Sequence, residues 1–164
     1  MSTIHLRDKV AIVSGASRGI GEAIALAFAD AGAKLVVASR KLEGVEAVAA
    51  KLRDKGTDAL AVAAHVGNTD QCHALVKSAI ERFGRVDVLV NCAGTNPYFG
   101  PMVNIDPGAY EKTVEVNLRG AFETSRVFAQ HIIDRKGTGS IVSITSVAGL
   151  RAAPLQGVYG MTKA

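Results

Sequence analysis

Five short, almost unbroken apolar runs punctuate this chain, and longer segments of helical periodicity separate them. The runs are Val10–Ser14, Leu35–Ser39, Ala59–Ala64, Val86–Val90 and Ser140–Thr145. A strand wetted on one face alternates apolar and polar residues, whereas an unbroken run suits a parallel strand covered on both faces. Between the runs, Ile20, Ile24, Ala27, Phe28 and Ala31 mark one helical stripe, and Leu42, Val45, Ala49 and Leu52 mark a second. Cys72, Leu75, Val76, Ala79 and Phe83 mark a third, with Asn68 or Thr69 as N-cap. Val114, Leu118, Ala121, Phe122, Ser125, Phe128 and Ile132 continue the pattern from Asp106 to Arg135. Gly32, Gly56 and Gly84 fall just past the first three stripes, where helices commonly stop. The alternation predicts an α/β fold, a doubly wound parallel sheet with right-handed crossovers. Its 164 residues form a single domain, 1–164.

Composition narrows the function classes. With 48% apolar and 21% charged residues, the chain is neither disordered nor membrane-like. The net charge of +4 comes from scattered basic residues, as in Arg7-Asp8-Lys9, so a nucleic-acid partner is not expected. No apolar run is long enough to span a membrane, and the N-terminus lacks a secretory pattern. Cys72 and Cys92 form no spaced framework and no N-x-[ST] site occurs, which favours the cytoplasm. His5, His73 and His131 are not clustered, and no metal is expected.

The richest local signal is Ser14-Gly15-Ala16-Ser17-Arg18-Gly19-Ile20-Gly21, where the first strand turns into the first helix. Glycines permit a sharp turn and close approach to a ligand, and free N–H groups at a helix start attract phosphate. The spacing G-x3-G-x-G differs from the common G-x-G-x-x-G, and no Gly-Lys-[Ser/Thr] follows. Taken alone, these glycines serve equally as packing devices. Gly15-Ala16-Ser17-Arg18-Gly19 also matches the G-x-S-x-G elbow of hydrolases, with Ser17 as nucleophile and His131 as triad partner. Only 16 residues precede Ser17, too few for an earlier oxyanion-hole loop.

After the second strand come Ser39, Arg40 and Lys41. An acidic residue there would bind ribose hydroxyls and repel a 2′-phosphate. A hydroxyl with Arg40, Lys41 and Arg18 instead forms a phosphate clamp, favouring NADP(H) over NAD(H). The alternative is a solvated basic start to the second helix. Near the end stand Ser146, Tyr159 and Lys163. Tyr159 and Lys163 are four residues apart, so a helix places them on one face. An ammonium favours phenolate, and lowering the phenol pKa by about two to three units takes roughly 3–4 kcal/mol.

Together these spacings make the chain resemble the short-chain dehydrogenase/reductase family along its whole length. The family's T-G-x3-G-x-G appears as Ser14-Gly15-x3-Gly19-x-Gly21, and its Asn-Asn-Ala-Gly as Asn91-Cys92-Ala93-Gly94. Its helix asparagine matches Asn117, and its Ser–Tyr-x3-Lys matches Ser146, Tyr159 and Lys163. The resemblance implies a Rossmann-like fold and hydride transfer between a nicotinamide and a small-molecule carbonyl or alcohol. It assigns Tyr159 as general acid/base, Lys163 to the nicotinamide ribose, Ser146 to the carbonyl and Asn117 to a proton-supplying water. Gly15, Ser17, Arg18, Gly19, Ile20, Gly21, Ser39, Arg40, Lys41, Asn91, Ala93 and Gly94 are expected at the cofactor, with Tyr159 and Lys163. His65-Val66 stands where the family often has Asp-Val, so adenine must be met differently, by backbone or by His65. The overall look is similar to the 3-oxoacyl carrier-protein reductase and carbonyl reductase branches.

Members of that family continue well past the position matching Ala164. The sequence is therefore expected to be a fragment, incomplete at its C-terminus, of a homodimeric or homotetrameric enzyme. The competing expectation is a non-catalytic dinucleotide-binding module.

Overall fold

Small and β-branched side chains, with one paired hydroxyl at Ser14, let β1 (Val10–Ser14) be buried on both faces. In the computed structural model, which describes residues 5–164, β1 lies at the centre of a five-stranded sheet. Residues 1–4, the start of the segment judged to lack a secretory pattern, lie outside the described residues. The other strands are β2 (Lys34–Ser39), β3 (Ala59–Ala63), β4 (Val88–Asn91) and β5 (Ser140–Ser143). All pairings are parallel, in the order β3-β2-β1-β4-β5.

Alternate residues feed two cores, as strand periodicity requires. Ala11, Val13, Leu35 and Val37 pack under α1 (Gly19–Asp30) and α2 (Leu42–Asp54). Ile12, Val36 and Leu89 point the other way, towards α3 (Thr69–Phe83) and Phe128. Asn68 caps α3 by accepting the Gln71 N–H at 3.0 Å, and Gly84 ends it in the left-handed conformation at φ 77°. The doubly wound parallel architecture read from the sequence is present.

Three expectations need correction. The stretch from Asp106 to Arg135 is not one regular helix. Asp106 caps α4 (Pro107–Val114), a π-helical segment follows at Glu115–Arg119, and α5 (Gly120–Asp134) completes it. A π turn inserts an extra residue and rotates the helical register. Phe128 is therefore buried, while Leu118 and Phe122 are 55% and 60% exposed. Nor is β5 covered on both faces: all four of its residues are exposed, whereas β3, the other edge strand, is largely covered. Beyond β5, two short helices follow, α6 (Val147–Leu150) and α7 (Gly157–Lys163).

The strand predicted at Val86–Val90 begins instead at Val88, since the Val86 N–H goes to His131 Nε2 at 3.2 Å. Next to it, the buried Asp87 carboxylate accepts from Val10 N–H at 3.1 Å, from Arg85, and from Arg135 at 3.0 Å. Burial alone would raise the Asp87 pKa, but the Arg85 hydrogen bonds, the Val10 N–H and Arg135 outweigh it and hold the pKa below the usual range. A depressed folded-state pKa stabilises the fold above the ordinary carboxylate value, and this contribution disappears as pH falls through the folded value. Asp87→Asn should cost roughly 3 kcal/mol in urea unfolding at pH 7. The difference from the parent should shrink as the medium becomes strongly acidic.

Candidate active site

The strand order reverses between β1 and β4, so the chain leaves their carboxyl ends in opposite directions and opens a crevice. Gly15, at φ 68°, forms one wall, and a Cβ there would lie 2.7 Å from Ala93 Cα on the other. A Cβ on Gly21 would overlap the Gly15 carbonyl, which is why α1 can start so close beneath the turn. The Ser14 hydroxyl ties the walls together. It accepts from Cys92 and Ala93 N–H at 3.1 and 3.2 Å and donates to the Val90 carbonyl at 3.2 Å. Arg18 precedes α1 without capping it through its side chain, which leaves the first N–H groups available to an anion.

One end of the crevice is basic. Arg18 and Arg40 line it with Ser39, whose hydroxyl donates to the Lys41 carbonyl at 3.2 Å. His65 Nδ1 accepts the Gly67 N–H at 3.0 Å, and its Nε2 lies 2.7 Å from Lys112 Nζ. Burial, then Lys112 and Arg40, lower the His65 pKa, which favours the neutral ring.

The other end holds the three chemical groups. Ser146 caps α6 by accepting the Ala148 N–H at 3.2 Å, which leaves its own O–H free to donate. Helices α6 and α7 cross at two glycines: a Cβ on Gly149 would overlap the Lys163 carbonyl, and one on Gly160 would sit 2.7 Å from the Ala148 carbonyl. Ser146 and Tyr159, from the two crossing helices, both line the cavity. Lys163 Nζ donates to the Ile144 carbonyl at 2.9 Å and passes beside Gly94, where a Cβ would approach it to 3.3 Å. Burial lowers the Lys163 pKa, with Cys92 acting in the opposite direction.

One cavity of about 620 Å³ joins the two ends. Its wall includes Gly15, Ser17, Ile20 and Gly21 from the first turn, and Val66, Ala93 and Gly94 from the ends of β3 and β4. Ser146, Tyr159 and Lys163 close it. Four residues expected here lie off the wall. Gly19 sits in the turn with open space before it, and Lys41 begins α2. Asn91 is a buried staple, donating to Ser125 Oγ at 2.9 Å and accepting from Thr124 at 2.7 Å. Asn117 Oδ1 accepts the Thr95 N–H at 2.7 Å, and its Nδ2 donates to the Thr95 carbonyl and to Thr162 Oγ1. Ile144, Thr145 and Gln156 also line the wall, and nothing in their local sequence distinguishes them. The hydrolase alternative fails: His131 receives the Val86 N–H beneath β4 and is absent from the wall holding Ser17.

A glycine turn at a switch point opens into the same cavity as Ser146, Tyr159 and Lys163, on a Rossmann-like α/β fold. The pattern of the short chain dehydrogenase family matches residues 9–164, and the chain belongs to that family. It is 35% identical over 160 residues to Dehydrogenase/reductase SDR family member 4 of Caenorhabditis elegans, covering 97% of this chain and 61% of that protein. It is 38% identical to a 3-oxoacyl-[acyl-carrier-protein] reductase of Synechocystis, covering 97% and 64%. A metagenomic short-chain oxidoreductase solved with NADP superposes with TM-score 0.90 at 34% identity, covering 96% of this chain and 71% of that one. The chain thus spans somewhat over 60% of the length of these curated relatives.

The two free thiols offer a direct probe of the cavity. Cys72 is fully buried, donates to the Val66 carbonyl and has its pKa pushed up to about 11, by burial first and Glu123 second. Cys92 is half-buried on the cavity wall. At pH 8 a disulfide reagent should modify Cys92 well before Cys72, and saturating dinucleotide should slow the Cys92 reaction.

Proposed function

We propose that this protein is an NADP(H)-dependent oxidoreductase acting on a carbonyl or secondary alcohol, with Tyr159 as general acid/base. The observation that carries this is the single cavity running from Arg18 and Arg40 to Ser146, Tyr159 and Lys163. The residues fit a dinucleotide. The space at Gly19 and the uncapped start of α1 suit the pyrophosphate, and Arg18, Ser39 and Arg40 suit a 2′-phosphate.

A bound nicotinamide dinucleotide supplies or accepts the hydride. The chain's own groups manage the oxygen and its proton. Ser146, whose acceptor capacity is engaged by Ala148 N–H, donates its hydroxyl hydrogen to the carbonyl oxygen and orients it. Tyr159 gives that oxygen a proton during reduction and takes one back during oxidation. Lys163, held by the Ile144 carbonyl, would hold the ribose hydroxyls of a bound nicotinamide dinucleotide with its ammonium. Asn117 anchors this end by holding the Thr95 backbone at both its N–H and its carbonyl.

The same reading extends to association and location. The exposed Leu118 and Phe122 beside the π turn support a homodimer or homotetramer. A cytoplasmic location belongs to the same reading, with both cysteines free; no described helix is long and apolar enough to cross a membrane.

Tyr159→Phe in the full-length protein should lower NADPH-dependent carbonyl reduction by at least about a hundredfold while leaving NADPH affinity nearly unchanged. Retained turnover would remove Tyr159 as proton donor. Arg40→Ala should weaken NADPH roughly tenfold or more, since a charge-assisted contact is lost, and leave NADH almost untouched. Equal weakening of both coenzymes would count against the 2′-phosphate clamp.

A further inference from the structure

We infer that Thr162 is a positioning residue for the proton-transfer pair, locking the last turn of α7 onto the π-helical segment. The inference rests on the assignment of Tyr159 and Lys163 above.

Helix α7 has only 7 residues, too few to hold its own shape in water. One side is fixed by the glycine crossing with α6, which supplies close packing but no direction along the helix axis. The opposite side is fixed by a hydrogen-bond chain. Asn117 Nδ2 donates to Thr162 Oγ1 at 3.0 Å, and Thr162 Oγ1 donates to the Tyr159 carbonyl at 2.9 Å. Both Thr162 and Asn117 are buried, at 7% and 6% exposure, so water does not replace either bond cheaply.

The polarity of the chain is determined. Asn117 Oδ1 is committed to the Thr95 N–H, so its amide nitrogen faces α7 and can only donate. Thr162 must accept that bond, and its single proton then goes back to the carbonyl of Tyr159. A hydroxyl at position 162 is thus the one group of this size that can both accept from Asn117 and donate into its own helix. Valine fills the same volume and does neither.

Thr162 lies between Tyr159 and Lys163 in sequence and is in contact with the Tyr159 backbone. Lys163 Nζ reaches Ile144 across the same wall. Loosening Thr162 would let the phenol and the ammonium, which line one cavity wall, drift from the positions that the last turn of α7 gives them.

Two readouts test this. In the full-length protein, Thr162→Val should slow turnover about five- to tenfold, with the KM for NADPH little changed. In the dinucleotide-free protein, NMR should show the Asn117 side-chain amide exchanging with water several-fold faster than in the parent. Thr162→Ser should restore both. If Thr162→Val fails to fold, Thr162→Ala is measured the same way, with Thr162→Ser again as the rescue. Unchanged turnover and amide exchange would overturn the inference, as would equal losses in the Val and Ser variants. Retained activity in Tyr159→Phe would instead overturn the parent assignment, a result the amide-exchange measurement does not depend on.

Discussion

The structure depends on the contact between the turn after β1 and the turn after β4. Two backbones meet there closely enough that a single methyl group on Gly15 would collide with Ala93. The approach is held by one buried hydroxyl, Ser14, which accepts two N–H groups from the far strand end and donates to the carbonyl just before them. Buried backbone groups at strand ends are costly unless paired, and Ser14 pairs three of them at once. The result is a rigid floor for the crevice, formed from the two strands whose helical connections leave in opposite directions. A threonine could make the same bonds, so the serine at this position preserves the chemistry of the motif.

Much of this was legible because strand and helix periodicities are properties of the chain itself. Unbroken valine, alanine and isoleucine runs predicted buried parallel strands, and β1 to β4 lie close to their expected positions. Gly84 was identified as a helix stop and adopts the left-handed conformation that such a stop requires. The π-helical turn was not legible. It arises from long-range demands: Gly120 presses on the Val66 carbonyl while Asn117 is drawn to Thr95 and Thr162. None of these partners lies within one helical turn, so a periodicity argument continued the stripe straight through Leu118 and Phe122. The exposure of β5 carries no signal in its own residues, which resemble those of the covered strands.

Within the site, sequence motifs identified residue types better than their tasks. Asn91 and Asn117 belong to the recognised pattern, yet both amides are spent on the protein's own backbone and hydroxyls. Their value is geometric: Asn91 fixes α5 against β4, and Asn117 fixes the loop beyond Gly94. Ser146 shows the reverse economy. By accepting from Ala148 N–H it satisfies the start of α6 and keeps its one proton directed outward.

The departure at His65 has a physical consequence that follows from counting protons. Nδ1 faces the Gly67 N–H and Nε2 faces the Lys112 ammonium at 2.7 Å, and a neutral ring has one lone-pair nitrogen, so it accepts from only one of these two donors. Protonating the ring would place a second cation there, and burial together with Lys112 and Arg40 opposes that. A carboxylate at this position would offer acceptors on two oxygens, whereas the single acceptor of a neutral His65 is already engaged by Gly67 or Lys112. In the proposed cofactor complex the adenine amino group would therefore find its acceptor on the backbone. Glu115 opposes Lys112 and Arg40 at His65, and the substitution removes a further negative charge that would repel the phosphate proposed between Arg18 and Arg40.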